Sequence, residues 1–207
     1  MKARSLWRTL LYKKLSQVTL FGEVIDLGGS RKSRYLTNFK GQFEVTVADM
    51  ATDRPEDIVI DLEQALPIKD MTYDHVLCIN LLEHIYNFKS VVSESKRILK
   101  PDGQVVFAIP FLIQVHPSPH DHWRFTKETL EKIFSEAGFD QVLVESVGTG
   151  VFGAIAQMKF NMLHFSLLRK ISNQIAITLD AFVEKIIKKD TYSKEYYPLG
   201  YIVTAKR

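Results

Sequence analysis

Apolar residues recur along this chain in two alternating rhythms. Short strand-length runs fall near 22–27, 43–49, 57–60, 74–80, 103–109, 139–147 and 199–206. Between them apolar positions step by three or four, predicting helices near 3–16, 31–39, 85–99 and 126–137 and a helical block over about 152–189. Strands alternating with helices predict an α/β fold on a doubly wound, mostly parallel sheet. Lys100-Pro101-Asp102-Gly103 reads as the end of a helix turning into a strand, which Pro110 then ends. Gly138 reads as a helix cap, and Thr126 with Thr129 as a helix start. No Pro/Gly/Ser-rich linker interrupts the pattern. The chain therefore reads as one domain over 1–207: an N-terminal helix (1–20), a core (21–150), a helical insertion (151–196) and a last strand (197–207).

Two helical segments carry distinctive faces. Leu6, Leu10, Leu11 and Leu15 share one face of the first helix, with Arg4, Arg8, Lys13 and Lys14 largely off it. A helix packed on the domain edge is the plain reading, and a membrane-surface role the other. In the insertion, Ile155, Met158, Met162, Phe165, Leu168, Ile175, Leu179, Phe182 and Ile186 form an apolar stripe. Extra core packing is its commonest explanation. A lid over an apolar acceptor, a homodimer face and peripheral membrane contact are the alternatives. Lys159 is the only charge between Ser146 and Leu168, but Gln157, Asn161 and His164 argue against a membrane span.

Composition narrows the partners. The 207 residues are 46% hydrophobic, and 27 basic against 24 acidic residues leave a net charge of +3. That charge is too weak to argue for nucleic acid. Cys78 is the only cysteine, so no disulfide framework exists, and a reducing cytoplasm is the simplest compartment.

Val24-Ile25-Asp26-Leu27-Gly28-Gly29-Ser30 carries the clearest chemistry. An apolar strand ends in an acid and two glycines, a turn whose backbone N–H groups can face a ligand. Asp49, at the end of the next strand, lies 23 positions beyond Asp26. That is close to the roughly 20-residue spacing at which an acid meets ribose hydroxyls. Ser30, Arg31, Lys32 and Ser33 do not complete G-x-G-x-x-G, which counts against a dinucleotide. A nucleoside without phosphates tolerates the looser turn, and Asp26 can then bind an ammonium group directly.

From Asp61 the landmarks continue: Leu66-Pro67, Tyr73-Asp74, Leu82-Glu83-His84 and the turn from Leu99 to Gly103. In their order and spacing, over about 22–147, the chain resembles the class I S-adenosylmethionine-dependent methyltransferases, in the broad group of quinone and small-molecule methylating enzymes. The resemblance implies a Rossmann-like methyltransferase fold, with a seven-stranded sheet whose last strand is antiparallel. It also implies S-adenosylmethionine as cofactor. By position, Asp26 and the backbone of Gly28, Gly29 and Ser30 would hold the methionine part. Asp49, with Met50 beside it, would take the ribose, and Asp61 with the Leu62 backbone the adenine. Asn80 and Leu81 would line the methyl-transfer mouth. Ser30 and Lys32 depart from the further glycines of many members.

A histidine-rich loop, Phe111 to Thr126, follows the fifth strand and would overhang this mouth. His116, His120, Asp121 and His122 match no familiar zinc spacing, so no metal is expected. Trp123 and Arg124 read as stacked or paired. The segment resembles a signature of a methyltransferase subgroup often encoded among polysaccharide genes, which supports a substrate loop. His116 and His120 are the candidate general bases, with His84 third; Glu83 and His84 read more simply as a helix-start cap or pair. The expected activity is methyl transfer to a small-molecule or saccharide-type hydroxyl. A non-catalytic interaction module and a nucleotide-dependent oxidoreductase are the rival readings.

Overall fold

The computed structural model describes residues 4–52, 54–187 and 190–207. One seven-stranded sheet is formed by β1 (Gly22–Leu27), β2 (Phe43–Asp49), β3 (Ile58–Val59), β4 (Tyr73–Ile79), β5 (Leu99–Pro110), β6 (Asp140–Val147) and β7 (Gly200–Lys206). The order across it is β3-β2-β1-β4-β5-β7-β6. Pairs among β1 to β5 are parallel, and β7 runs antiparallel to both β5 and β6. The order reverses between β1 and β4, where a crevice opens at the carboxyl ends of the strands.

Both faces of the sheet are covered, as the near-continuous apolar runs require. Val24, Leu77 and Val106 pack with α1 (Leu6–Leu15) and α4 (Val151–Lys159) on one face. Ile25, Cys78 and Phe107 pack with α2 (Phe88–Ile98) and α3 (Lys127–Glu136) on the other. All six strand residues are fully buried, and an apolar side chain so placed contributes about 1.5–3 kcal/mol. Helix α1 opens on Ser5, whose hydroxyl accepts from the Arg8 amide, and buries Leu6, Trp7, Leu11, Tyr12 and Leu15. It is a packed helix of the domain. Thr126 caps α3 through the Thr129 amide, and Gly138 at φ +81° ends it, both as expected.

The structure corrects four expectations. No α-helix spans 31–39; only a 3-10 turn, Leu36–Asn38, forms. The Ser30 hydroxyl accepts from the Lys32 amide at 3.2 Å and the Asn38 amide group donates to the Arg34 carbonyl at 2.8 Å. Such local bonds compete with a helical ladder. The helix expected over 85–99 starts at Phe88. A 3-10 turn, Leu82–His84, precedes it, and the Glu63 carboxylate accepts from the Tyr86 and Asn87 amides at 2.6 and 3.0 Å. The Lys100-to-Gly103 turn lies within β5 as a register irregularity, with Asp102 at φ 62°.

The fourth correction concerns the insertion. It folds as α4 and α5 (Ser166–Ile187), and only Ala176 and Asp180 of α5 are buried. The Asp180 carboxylate accepts from the Phe152 amide (2.9 Å), the Gly153 amide (2.7 Å) and the Thr149 hydroxyl (2.7 Å). It thereby caps the N-terminus of α4 with a negative charge. The apolar stripe points outward instead of filling the core: Phe165 is 71% and Phe182 61% exposed. No helix among the described residues is long and apolar enough to cross a membrane. Residue 3 of the first predicted helix and residues 188–189 of the helical block lie outside the described residues.

Candidate functional site

The turn after β1 is locked from both sides. Gly28 sits at φ +65°, and a Cβ there would lie 2.3 Å from Leu81 Cδ1. Only glycine satisfies both constraints. A Cβ on Gly29 would fall 1.9 Å from Asp26 Oδ2. Asp26 therefore lies directly under the turn, fully buried. The Tyr35 hydroxyl donates to its Oδ2 at 2.6 Å, while Oδ1 has no hydrogen-bond partner. Burial pushes this carboxyl up to about 7; the Tyr35 hydrogen bond opposes the rise and the charge of Asp49 adds to it.

Beside the turn lies a cavity of about 250 Å³ whose walls include Gly29, Ser30, Asp49, Thr52 and Asp57. Arg31 forms a bidentate pair with Asp57, at 2.7 to 3.1 Å, and Asp57 Oδ1 accepts from the Val47 amide at 3.0 Å. The pair anchors the turn to β2 and holds the Asp57 carboxyl below its usual range. Arg31, one of the residues that break the three-glycine pattern, thus fixes the loop. The Ile60 amide donates to the Asp49 carbonyl at 2.9 Å, which brings Asp61 and buried Leu62 alongside the tip of β2. Asp61 accepts from the Glu63 amide at 3.0 Å and lies outside this cavity lining, as does Met50, which is exposed.

At the tip of β4, Asn80 adopts φ 53° and its Oδ1 accepts from Trp7 Nε1 at 2.9 Å. The Trp7 amide in turn donates to Gln157 Oε1 of α4 at 3.1 Å. Helix α1 and the insertion are therefore both tied to the mouth of the crevice.

The histidine loop folds back over the 3-10 turn after β4. The Glu83 carbonyl accepts from the His122 and Trp123 amides at 2.9 and 3.2 Å. Trp123 donates to the Ile85 carbonyl at 3.1 Å and packs edge-on against Phe88. Arg124 pairs with Asp121, which also accepts from the His116 amide at 2.8 Å. The Arg124 guanidinium holds the Asp121 carboxyl well below the usual range. These contacts bring His84 and His116 together, with ring centroids 4.9 Å apart. His84 Nδ1 donates to the His120 carbonyl at 2.6 Å, and His116 Nδ1 lies 3.0 Å from the Gln114 carbonyl. In each neutral ring this leaves Nε2 as the proton acceptor. Both Nε2 atoms face Glu83 Oε1, at 3.5 and 3.9 Å. Glu83 is fully buried, and neither carboxylate oxygen has a hydrogen-bond partner among the described residues. Burial raises it to about 8 and depresses His84 below its usual value. One ligand-type atom from each of Glu83, His84 and His116 lies within 4.8 Å of the others, so the group can hold a cation or relay a proton.

The predicted residues thus gather in two places: Gly29, Ser30 and Asp49 at the cavity with Asp26 beneath, and His84 with His116 at the loop. His120 contributes its carbonyl, while its ring lies exposed against His122. Tyr73 and Asp74 are structural: Tyr73 is buried, and Asp74 accepts from Lys100 and the Glu23 amide, both at 2.8 Å. Sequence reasoning missed Tyr35, Trp7, Asp57 and the central place of Glu83. For Trp7 a signal existed, since an aromatic with an N–H in an amphipathic helix needs a partner when buried.

Residues 29–107 match the family described as a methyltransferase domain. A 44-residue stretch is 48% identical to an uncharacterized protein of Methanocaldococcus jannaschii; it covers 21% of this chain and 19% of that relative. Among solved structures, an S-adenosylmethionine-dependent methyltransferase of Archaeoglobus fulgidus matches with a TM-score of 0.59 at 17% identity, over 97% of this chain and 94% of that one. Phosphoethanolamine N-methyltransferase 2 of Haemonchus contortus, solved with S-adenosyl-L-methionine, gives 0.58 at 15% identity. This chain spans about half of the latter, 52%, with 97% of its own length covered.

Proposed function

We propose that this chain, which carries a class I S-adenosylmethionine-dependent methyltransferase domain, transfers a methyl group to a hydroxyl of a small-molecule or saccharide-type acceptor. The observation that carries this reading is the glycine turn wedged between Asp26 and Leu81, opening on a cavity shared with Asp49. The donors fit the cofactor. A buried carboxylate with one unpartnered oxygen suits an ammonium group, and Asp49 suits vicinal hydroxyls. Asp26, Gly28, Gly29 and Ser30 would hold the methionine part, Asp49 and Met50 the ribose side, and Asp61 with Leu62 the adenine. Asn80 and Leu81 would line the mouth.

Bound there, the sulfonium cofactor supplies an already activated methyl group. The protein's remaining tasks are to align the acceptor oxygen, exclude water and accept a proton. Asn80, fixed by Trp7, shapes the mouth. His116 Nε2 is the proposed base, with His84 Nε2 behind it and Glu83 between them. Loop residues Trp123 and Arg124 hold that pair in place. The lone, buried Cys78 fits a reducing cytoplasm. The outward stripe of α5 is the surface for a homodimer or for peripheral membrane contact.

Calorimetric titration with S-adenosylhomocysteine tests the reading. Saturable binding lost in Asp49→Ala is the expected result. Binding that Asp49→Ala leaves unchanged removes the ribose assignment, and no binding at all favours a non-catalytic interaction module.

A further inference from the structure

A second cavity, of about 500 Å³, lies between α1, the turn after β1, the loop after β5 and the insertion. Four guanidinium groups line it: Arg4 and Arg8 from the start of α1, Arg34 from the turn after β1, and Arg169 from α5. No carboxylate is among the lining residues. Among the described residues no ion pair involves any of the four, although eleven other basic side chains make one. Two of the four are held by stacking on rings in the same wall. Arg4 lies 4.6 Å over Tyr12, and Arg169 4.3 Å over Phe160. Stacking fixes a guanidinium plane, and Arg169 Nε also donates to the Leu163 carbonyl, which orients its fork.

The cavity is joined to the proposed methyl-transfer mouth by short connections. Gln157, in its wall, accepts from the Trp7 amide, and Trp7 holds Asn80. Gln114, also in the wall, accepts from Asn161 at 2.6 Å and lies just beyond the end of β5. Arg34 precedes Tyr35, whose hydroxyl reaches Asp26. The arginines therefore stand on the elements that frame the mouth, while the cofactor cavity lies on the β2 side of the glycine turn.

We propose that this cavity is the anion subsite for the methyl acceptor, and that the acceptor carries a phosphate or pyrophosphate ester. The inference rests on the methyltransferase reading and names the substrate class of that site. Like-charged groups gathered around one cavity repel, and an anion relieves the repulsion. One or two guanidinium forks saturate the two oxygens of a carboxylate; four match the oxygens and multiple charge of a phosphate or pyrophosphate.

The test titrates inorganic pyrophosphate into the full chain, with S-adenosylhomocysteine binding measured on the same preparation. Saturable pyrophosphate binding is expected, weakened at least tenfold in Arg34→Gln and in Arg169→Gln, with S-adenosylhomocysteine affinity unchanged in both. Lys69→Gln, at an exposed position outside the cavity, should have no effect. Competition by a sugar 1-phosphate or by a nucleoside diphosphate then identifies the source of the ester. No pyrophosphate binding by protein that binds S-adenosylhomocysteine overturns the proposal. So does an equal loss in Lys69→Gln, the mark of a merely basic surface, or competition by neither ester. Pyrophosphate binding without S-adenosylhomocysteine binding removes the methyltransferase reading and leaves the anion site standing.

Discussion

Asp26→Asn isolates the electrostatic cost of the acid beneath the glycine turn. Asparagine keeps the shape and an oxygen for the Tyr35 hydroxyl, but it carries no charge. In the folded protein Asp26 keeps its proton up to about pH 7, whereas its ordinary value is 3.8. Below the ordinary value both states are protonated, and the neutral acid costs the fold nothing. As pH rises from about 4 through 7, the unfolded chain sheds the proton first, so stability falls; above 7 the loss is complete. A shift of about three units at about 1.4 kcal/mol each gives a loss on the order of 4 kcal/mol. The groups facing Asp26 simplify the experiment. Tyr35 and Cys78 are both pushed above their usual values, so neither titrates in this window. Glu83 is also raised, to about 8, so the wild type alone does not separate the two acids. The measured quantity is therefore the difference between Asp26→Asn and wild type, from urea unfolding of cofactor-free protein at pH 4 and pH 8. The variant should gain about 4 kcal/mol relative to wild type between those conditions, or about 2 M in urea midpoint at a slope near 2 kcal/mol per M. A difference that stays constant with pH refutes the buried, poorly solvated carboxyl.

Further outcomes follow from the same geometry. In the wild type, affinity for S-adenosylhomocysteine should rise from pH 5 to 7 as Asp26 ionises, and in Asp26→Asn it should be flat; a flat wild-type profile severs Asp26 from the ammonium group. Gly29→Ala drives a methyl into the Asp26 carboxylate, which Tyr35 holds in place. It should cost about 1–3 kcal/mol and abolish S-adenosylhomocysteine binding, read by denaturation and calorimetry. Asp180→Ala strips three donors at the start of α4 of a charged acceptor and should cost on the order of 3 kcal/mol. An unchanged thermal midpoint would show that the insertion does not depend on that cap. With an acceptor in hand, His116→Gln should lower turnover about 10²- to 10⁴-fold without changing cofactor affinity. Dialysis against a chelator should leave turnover intact, and activity lost on chelation and restored by zinc would make Glu83, His84 and His116 a metal centre.

The parts of this molecule legible in sequence are those governed by local periodicity. β1, β2 and α3 fall within a residue or so of where alternation and caps place them, because burial on a sheet face and a Thr126 or Gly138 cap are local devices. The glycine turn was legible because a close backbone approach leaves few residue choices. The segment from Arg31 to Asn38 was not. Its apolar spacing suits a helix, yet Ser30 and Asn38 take up neighbouring backbone groups, and Tyr35 turns inward to Asp26. Nothing within that segment announces a hydrogen bond to a strand nine positions back. The stripe of α5 misled for a related reason. Periodicity shows that a helix has an apolar face, not which way that face points, and here Asp180 turns the polar side toward the domain.

The two contacts that define the mouth have sequence separations of 73 and 150 residues, Trp7 to Asn80 and Trp7 to Gln157. They join the first helix, the tip of β4 and the insertion, three elements that the sequence treats as unrelated. Each has a weak local reason to be where it is. Asn80 tolerates φ 53° because its short polar side chain suits the left-handed region, and that conformation occurs at the strand tip where Trp7 meets it. Trp7 is buried on α1 and needs an acceptor for its indole N–H, which Asn80 supplies. Gln157 then closes the circuit by taking an amide from the first turn of α1, one that no helical carbonyl can serve. The arrangement couples folding of the two peripheral segments to the shape of the mouth. It follows that a change that loosens Gln157 should free Trp7, and with it Asn80. The proposed cofactor cavity is built by strand ends and the loops that follow them, whereas α1 and α4 bear on the mouth beside it through Trp7, Gln157 and Asn80.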